Sequence, residues 1–210
     1  MMRFALQPEP PEWDVRCRTR GRKWLGEHPN FKSPHGYWTV FEPDLRRAFR
    51  NLCAYCAMVV MKGEMDHFVP VSELKKNGQE KLIYEWTNFR YGDGWLNQKK
   101  LSQSILDPFE VEDDWFEITL PSLQLLLTDK VPHSIREKAE FTLKRLGLQN
   151  HEVVIRYRQQ WFELYRSRNL DLAGLFRVAP LIARAVEKSL QEGRDWRRPE
   201  STSDAASAEA

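Results

Sequence analysis

Four side chains in one stretch of this sequence could together build a hydrolytic metal site: Asp66, His67, Asn88 and Asn97. They lie in Glu64-Met65-Asp66-His67-Phe68-Val69-Pro70, Trp86-Thr87-Asn88 and Asn97-Gln98-Lys99-Lys100, downstream of a Cys53-Ala54-Tyr55-Cys56 pair. Hydrolysis of a phosphodiester needs a water, a base to take its proton, and a cation to stabilise charge on the phosphate and the leaving oxygen. A neutral imidazole exists near pH 7, which makes His67 the natural base. Asp66 and Asn97 offer oxygen donors, a set that favours Mg2+ or Mn2+ over Zn2+. Asn88 can hydrogen-bond across the connection and fix how His67 faces the ion. Each residue taken alone has a plainer reading: a hydrogen-bonded Asp-His pair, a turn former, a helix surface residue.

The local pattern predicts two strands, a connection and a helix to hold these groups. Val59-Val60-Met61 is β-branched and apolar, Lys62-Gly63 is a turn candidate, and Met65 to Val69 resumes an extended pattern, together a β-hairpin. Residues 72 to 85 read as helix or turn, broken at Asn77-Gly78. Tyr91-Gly92-Asp93-Gly94 reads as a sharp turn, and Trp95 to Ser104 as a helix ended by Asp107-Pro108. Successive strand residues point to opposite faces, so Asp66 and His67 can serve one ion only through a bulge, a turn distortion, or an ion at the strand edge.

In this order the residues resemble the HNH endonucleases, whose fold is the ββα-metal finger. The resemblance rests on Cys53/Cys56, Asp66-His67-Phe68-Val69-Pro70, Trp86-Thr87-Asn88, and Asn97 nine residues after Asn88 opening Asn97-Gln98-Lys99-Lys100. It covers about 60 residues, through Leu106-Asp107-Pro108-Phe109, and the helices beyond look similar to those of bacterial HNH proteins with this extension. It implies His67 as general base, Asp66 and Asn97 as ligands of one Mg2+ or Mn2+ ion, Asn88 as the orienting residue, DNA as substrate, and the bulged strand. Leaving-oxygen stabilisation by the ion implies 3′-hydroxyl and 5′-phosphate ends.

One part of that pattern is missing. The second cysteine pair of a four-cysteine zinc site falls in register at Asp93 and Leu96, and leucine cannot ligate zinc. Asp93 could be a third ligand, and Cys17, His28 or His35 could come from outside the finger. The expectation is a finger without structural zinc, in which Cys53 and Cys56 are small buried side chains. Trp86, Phe89, Trp95 and Leu96 then pack in place of metal bonds.

The rest of the chain supplies flanks. With 210 residues, 41% hydrophobic content and eight tryptophans, a sizeable core is expected. Net charge is +2, so global charge does not announce a nucleic-acid binder, although residues 1–52 carry ten Lys/Arg against six Asp/Glu. Arg16, Arg18, Arg20 and Arg22 alternate. If extended they project from one face and suit a phosphate backbone, a role Lys99 and Lys100 share; the plain alternative is a solvated basic segment. Three cysteines do not make a secreted disulfide framework, and no apolar run approaches the ~18 residues of a membrane span, so the expected compartment is a reducing cytoplasm.

The reading is therefore α+β: an HNH ββα-metal core embedded in helical flanks, with a C-terminal helical bundle. An N-terminal arm and basic segment (1–52) pack on a nuclease core (53–109). A strand pair and helical extension (110–196) follow, with strands at Trp115 to Leu120 and Ser122 to Leu127, helices at about 132–147, 151–168 and 170–191, and a split near Pro180. A disordered tail (197–210) closes the chain. The aromatic stripe Trp161, Phe162 and Tyr165 is core or, alternatively, a surface for a protein partner. A competing function is a decayed finger that binds nucleic acid or protein without cutting.

Overall fold

The computed structural model describes residues 1–198. The small polar tail expected at 197–210 falls outside them except for Arg197 and Arg198, and Arg198 N–H donates to Arg166 O at 2.8 Å. Among the described residues the architecture is α+β: helices around two separate two-stranded antiparallel sheets. No helix there is long and apolar enough to cross a membrane.

The N-terminal basic segment is helical, not extended. A π-helical turn at Asp14–Thr19 runs into α1, Arg20–Glu27. Helix periodicity scatters the four arginines around the axis, so they form no single row. What seats the segment is apolar: Trp13 and Cys17 are fully buried, and the ring of Tyr84 covers Gly21 so closely that a Cβ there would come within 2.2 Å of it. The arm before it is anchored too, with Met1, Met2 and Phe4 in the core and Phe4 N–H on Pro108 O at 2.9 Å.

Helix α2, Glu42–Ala48, starts with Pro43 in its first turn and buries Leu45. The central sheet differs from expectation. Val59-Val60-Met61 is not a strand; Val59 makes one isolated bridge to Leu52, and Met61 lies fully exposed. Strand β1, Gly63–His67, instead pairs with β2, Phe89–Asp93, across a long connection carrying α3, Val71–Lys76, and two 3-10 turns. The Tyr91–Gly94 stretch read as a turn is the end of β2 and the start of α4, Gly94–Lys100. Asp93 caps α4, its Oδ1 accepting from Trp95 N–H at 2.9 Å and Leu96 N–H at 3.3 Å, so the strand passes directly into the helix. The helix ends at Lys100, four residues short of the expected end at Ser104, with Leu101 after it at φ +50°.

The C-terminal half follows its pattern more closely. Strands β3, Phe116–Thr119, and β4, Gln124–Leu127, pair antiparallel. Helix α5, His133–Leu146, ends on Gly147 at φ +67°, the left-handed cap glycine adopts readily. Helix α6, Glu152–Arg166, buries Val154, Phe162 and Tyr165, so that part of its aromatic stripe is core. The last helical stretch is split at Pro180 into α7, Leu172–Val178, and α8, Pro180–Gln191.

Candidate functional site

β1, β2 and α4 form a strand-strand-helix unit, and two periodicities decide what meets on it. Glu64 and Asp66 are two apart on a strand and share a face. Asn97 and Lys100 are three apart on a helix and share a face. The structure lays these faces together: Asn97 Nδ2 donates to Glu64 Oε2 at 3.3 Å, and Lys100 Nζ donates to Asp66 Oδ2 at 2.6 Å. The pairing of β1 with β2 is regular through His67↔Phe89, with no bulge. The bulge expected to bring Asp66 and His67 to one face is therefore not formed; continuous pairing keeps strict alternation, and the two side chains leave the strand on opposite faces.

Asp66 is buried, 5% exposed. Its Oδ2 accepts from the Tyr55 hydroxyl and from the Lys100 ammonium. Lys100, 1% exposed, also donates to His67 O at 2.6 Å. Burial pushes the Asp66 carboxyl up and the Lys100 ammonium down, each toward its neutral form, and their attraction opposes both shifts. Across the strands, Asp66 faces Arg90, which makes a two-point contact with buried Asp107, Nε to Oδ1 at 2.8 Å. The Arg90 guanidinium sits 3.6 Å from the Phe109 ring centroid. This is a buried charge network, and Lys100 belongs to it rather than to a phosphate-binding surface. Lys99 lies with its Nζ 4.6 Å from the Trp95 ring centroid.

His67, on the opposite face, packs against Phe89 at 4.5 Å and edge-on to Trp38 at 4.7 Å between centroids. Its Nε2 lies 2.9 Å from the carbonyl oxygen of Ile83. A carbonyl can only accept, so Nε2 carries the proton, and in the neutral ring Nδ1 carries the lone pair. Burial lowers its pKa to about 4, with the Lys100 charge adding to that and the Ile83 bond opposing it. The ring is neutral at pH 7.

Among the described residues the Asn88 side chain makes no hydrogen bond to His67. Its Oδ1 accepts from Val69 N–H at 2.8 Å and its Nδ2 donates to Val69 O at 3.2 Å and Leu82 O at 3.4 Å. It thereby ties the chain leaving β1 to the segment that carries Ile83, and so acts on His67 through the backbone. Of the four expected groups, Asp66 and Asn97 share the strand-helix face but each bonds to another residue, and His67 stands behind them. Sequence reasoning missed Glu64, Tyr55, Arg90 and Asp107, and gave Lys100 to a phosphate contact where the structure buries it on Asp66. The period of two and the period of three to four, applied to 64/66 and 97/100, contain the signal for the first face.

The arginines at 16, 18, 20 and 22 have their charges engaged inside the molecule. Arg16 pairs with Glu12, Arg18 with Glu9, Asp14 and Glu85, and Arg22 with Glu85, while Arg20 lies over the Tyr37 ring at 4.5 Å. Cys53 and Cys56 are free cysteines, both buried; Trp86, Phe89 and Leu96 are buried in the same core, and half-buried Trp95 packs against it.

The donor chemistry of the strand-helix face suits a hard divalent ion: the Asp66 and Glu64 carboxylates and the Asn97 side-chain oxygen. Asp66 Oδ2 is already engaged by Tyr55 and Lys100, so Glu64 and Asn97 would be the first groups open to an ion, and no group of three His, Cys, Asp or Glu side chains placed to hold a metal is found among the described residues. Comparison of the chain with family models, with curated proteins and with solved structures finds no match.

Proposed function

We propose that the chain is a metal-dependent endonuclease of the HNH kind that hydrolyses DNA phosphodiester bonds, with residues 53–109 as its nuclease core and His67 as general base. The observation that carries this reading is the state of His67. Its Nε2–H is fixed by the Ile83 carbonyl, which leaves the lone pair on Nδ1, and the ring is neutral at physiological pH. A base needs that protonation state before the reaction begins. His67 is the last residue of β1 and leaves it on the face opposite Asp66, so this reading requires the end of β1 to turn before the base and an ion could serve one phosphate.

Asn97 and Asp66, with Glu64 beside them, are the groups that would hold Mg2+ or Mn2+, and the bound ion would stabilise charge on the phosphate and leaving oxygen. Asn88 is a positioning residue that holds the carbonyl-bearing segment against β1. Lys100 holds Asp66 and the His67 carbonyl together and so sets where the end of β1 lies against α4.

A second reading has one observation in its favour. The Lys100 ammonium, a buried cation, sits where a metal-ligating carboxylate would offer its oxygen, and that arrangement suits a finger that binds DNA or a protein without cutting. Supercoiled plasmid nicking in Mg2+, in Mn2+ and in EDTA separates the two. The nuclease reading expects ion-dependent nicking that is lost in His67→Ala while the fold persists. Absence of nicking by the wild-type chain, with DNA binding retained, favours the binding module.

A further inference from the structure

Helix α2 ends on an arginine where glycine is the usual residue. Asn51 N–H donates to Arg46 O and Arg50 N–H to Arg47 O, both at 2.9 Å, the two bonds that close a helix through a left-handed residue. That residue is Arg50, at φ +54°, followed by Asn51 at φ +62°. Glycine takes this conformation without strain, whereas the Cβ of an arginine crowds its own backbone there. A cation is favoured at a helix C-terminus, but Arg46 and Arg47 already supply that in the last turn. The end of α2 therefore has no need of an arginine at position 50, and the use of that side chain lies outside the helix.

The Arg50 guanidinium lies over the Phe4 ring, 5.9 Å from its centroid, beside a cavity of about 520 Å3. Three of the residues lining that cavity are arginines, Arg3, Arg47 and Arg50, and among the described residues that line it only Asp113 is acidic. Asp113 is already engaged: its Oδ1 accepts from Arg3 N–H at 3.1 Å, and its Oδ2 pairs with Arg184 at 3.0 Å. Arg3 pairs with Glu112 and Arg47 with Asp44, both at the surface, where an ion pair contributes little and its arginine is open to a stronger anion. Among the described residues no carboxylate pairs with Arg50, in contrast to Arg16, Arg18 and Arg22. The cavity is also joined to the strand-helix unit. Helix α2 packs against β1 and β2, and the rings of Phe4, Phe49 and Phe109 follow one another at 4.8 and 5.7 Å between centroids to reach Arg90, across the strands from Asp66.

We propose that Arg3, Arg47 and Arg50 form a DNA anchor, a concave site for backbone phosphates on the flank of residues 53–109; it rests on the reading that DNA is the ligand of this chain, and not on cleavage. Planar guanidinium forks take phosphate oxygens two at a time, which suits a cavity lined by three of them. The space is larger than one phosphate group fills, and Phe4, Ala5 and Ala48 give it an apolar wall for the sugar between neighbouring phosphates. Contacts of this kind fix register and supply affinity without reading sequence. The residue in the strained conformation is also the one whose charge no carboxylate takes up, the pattern of a group kept for a ligand at a cost to the fold. The anchored arm then has a use beyond packing, because it carries Arg3 to the end of α2.

The test is fluorescence anisotropy of a labelled DNA duplex with the full chain across a salt series, with melting temperatures measured alongside. Arg50→Gly is expected to melt at or above the wild type, since glycine relieves the backbone, while its salt slope falls by about 0.9, and by about 1.8 when Arg47→Ala is added. Arg50→Lys keeps the charge and is expected to keep the slope. Should Arg50→Gly not fold, Arg47→Ala, at an exposed position, reads the same site. Unchanged slopes in Arg50→Gly and Arg47→Ala, or a wild type that binds no duplex, overturn the proposal. Calorimetric titration with inorganic phosphate covers the remaining source of the anion: phosphate binding lost in Arg50→Gly with the DNA slope intact overturns the DNA assignment. Plasmid nicking separates this proposal from the nuclease reading. Nicking with unchanged slopes removes the anchor alone, and reduced slopes without nicking remove the nuclease alone.

Discussion

At the scale of the residue, His67 and Lys100 make opposite demands on their surroundings. The His67 pKa is lowered to about 4 in the folded chain against an ordinary value of 6.5, so the unfolded chain binds more protons between those limits. Stability conferred by keeping the ring neutral is therefore fully present above about pH 6.5 and falls as the pH drops toward 4, by roughly 3 kcal/mol in all. Urea unfolding between pH 4 and 7 should show that slope in the wild-type chain and a shallower one in His67→Phe; equal slopes would remove the assigned shift. Lys100→Met leaves the Asp66 carboxylate buried without its cation, a loss of about 3–5 kcal/mol. The pair Lys100→Met with Asp66→Asn should recover part of that loss, because no unpaired charge remains. A double-mutant cycle by chemical denaturation reads this directly.

At the scale of the element, the β1–β2–α4 unit depends on close backbone approach. A Cβ on Gly63 would fall 2.2 Å from the Tyr91 ring, whose hydroxyl accepts from Gly63 N–H at 3.2 Å. Gly63→Ala should cost about 1–3 kcal/mol by forcing the ring aside, measured as a lowered thermal midpoint; an unchanged midpoint would mean Tyr91 moves freely. Elements defined by their own periodicity were legible in the sequence. The helices ending at Gly147 and splitting at Pro180, and the β3–β4 pair, follow from local pattern alone. The partner of β1 was not legible, because Val59-Val60-Met61 has the composition of a strand while Phe89–Asp93 contains Gly92 and looks like a turn. Long-range pairing, set by Tyr55, Tyr91 and Phe89 in the core, overrode that local signal. The arginine alternation misled for the same reason: its spacing fits a strand, but Trp13, Cys17 and Gly21 bury themselves only if the segment is helical. The candidate site was legible as a set of residues and not as a geometry. Asp66 and Asn97 do share a face, yet nothing in their types announced that Lys100 would neutralise one and Glu64 engage the other.

At the scale of the whole molecule, the flanks hold the core and keep their charges occupied. Glu85 draws Arg18 and Arg22 onto the connection between the strands of the central hairpin. If those arginines are internal struts, Arg22→Ala should leave the salt dependence of DNA binding unchanged, since each lost phosphate contact would reduce the slope by about 0.9. A reduced slope in filter-binding or fluorescence titrations across salt would return them to the DNA interface. The central claim concerns the imidazole behind the strand-helix face, and plasmid nicking in Mg2+ by wild type and by His67→Ala, each with an EDTA control, tests it most directly. The account predicts ion-dependent nicking by the wild type and none by the variant, with both chains showing the same far-ultraviolet circular dichroism. Nicking by His67→Ala at the wild-type rate in Mg2+ would contradict it.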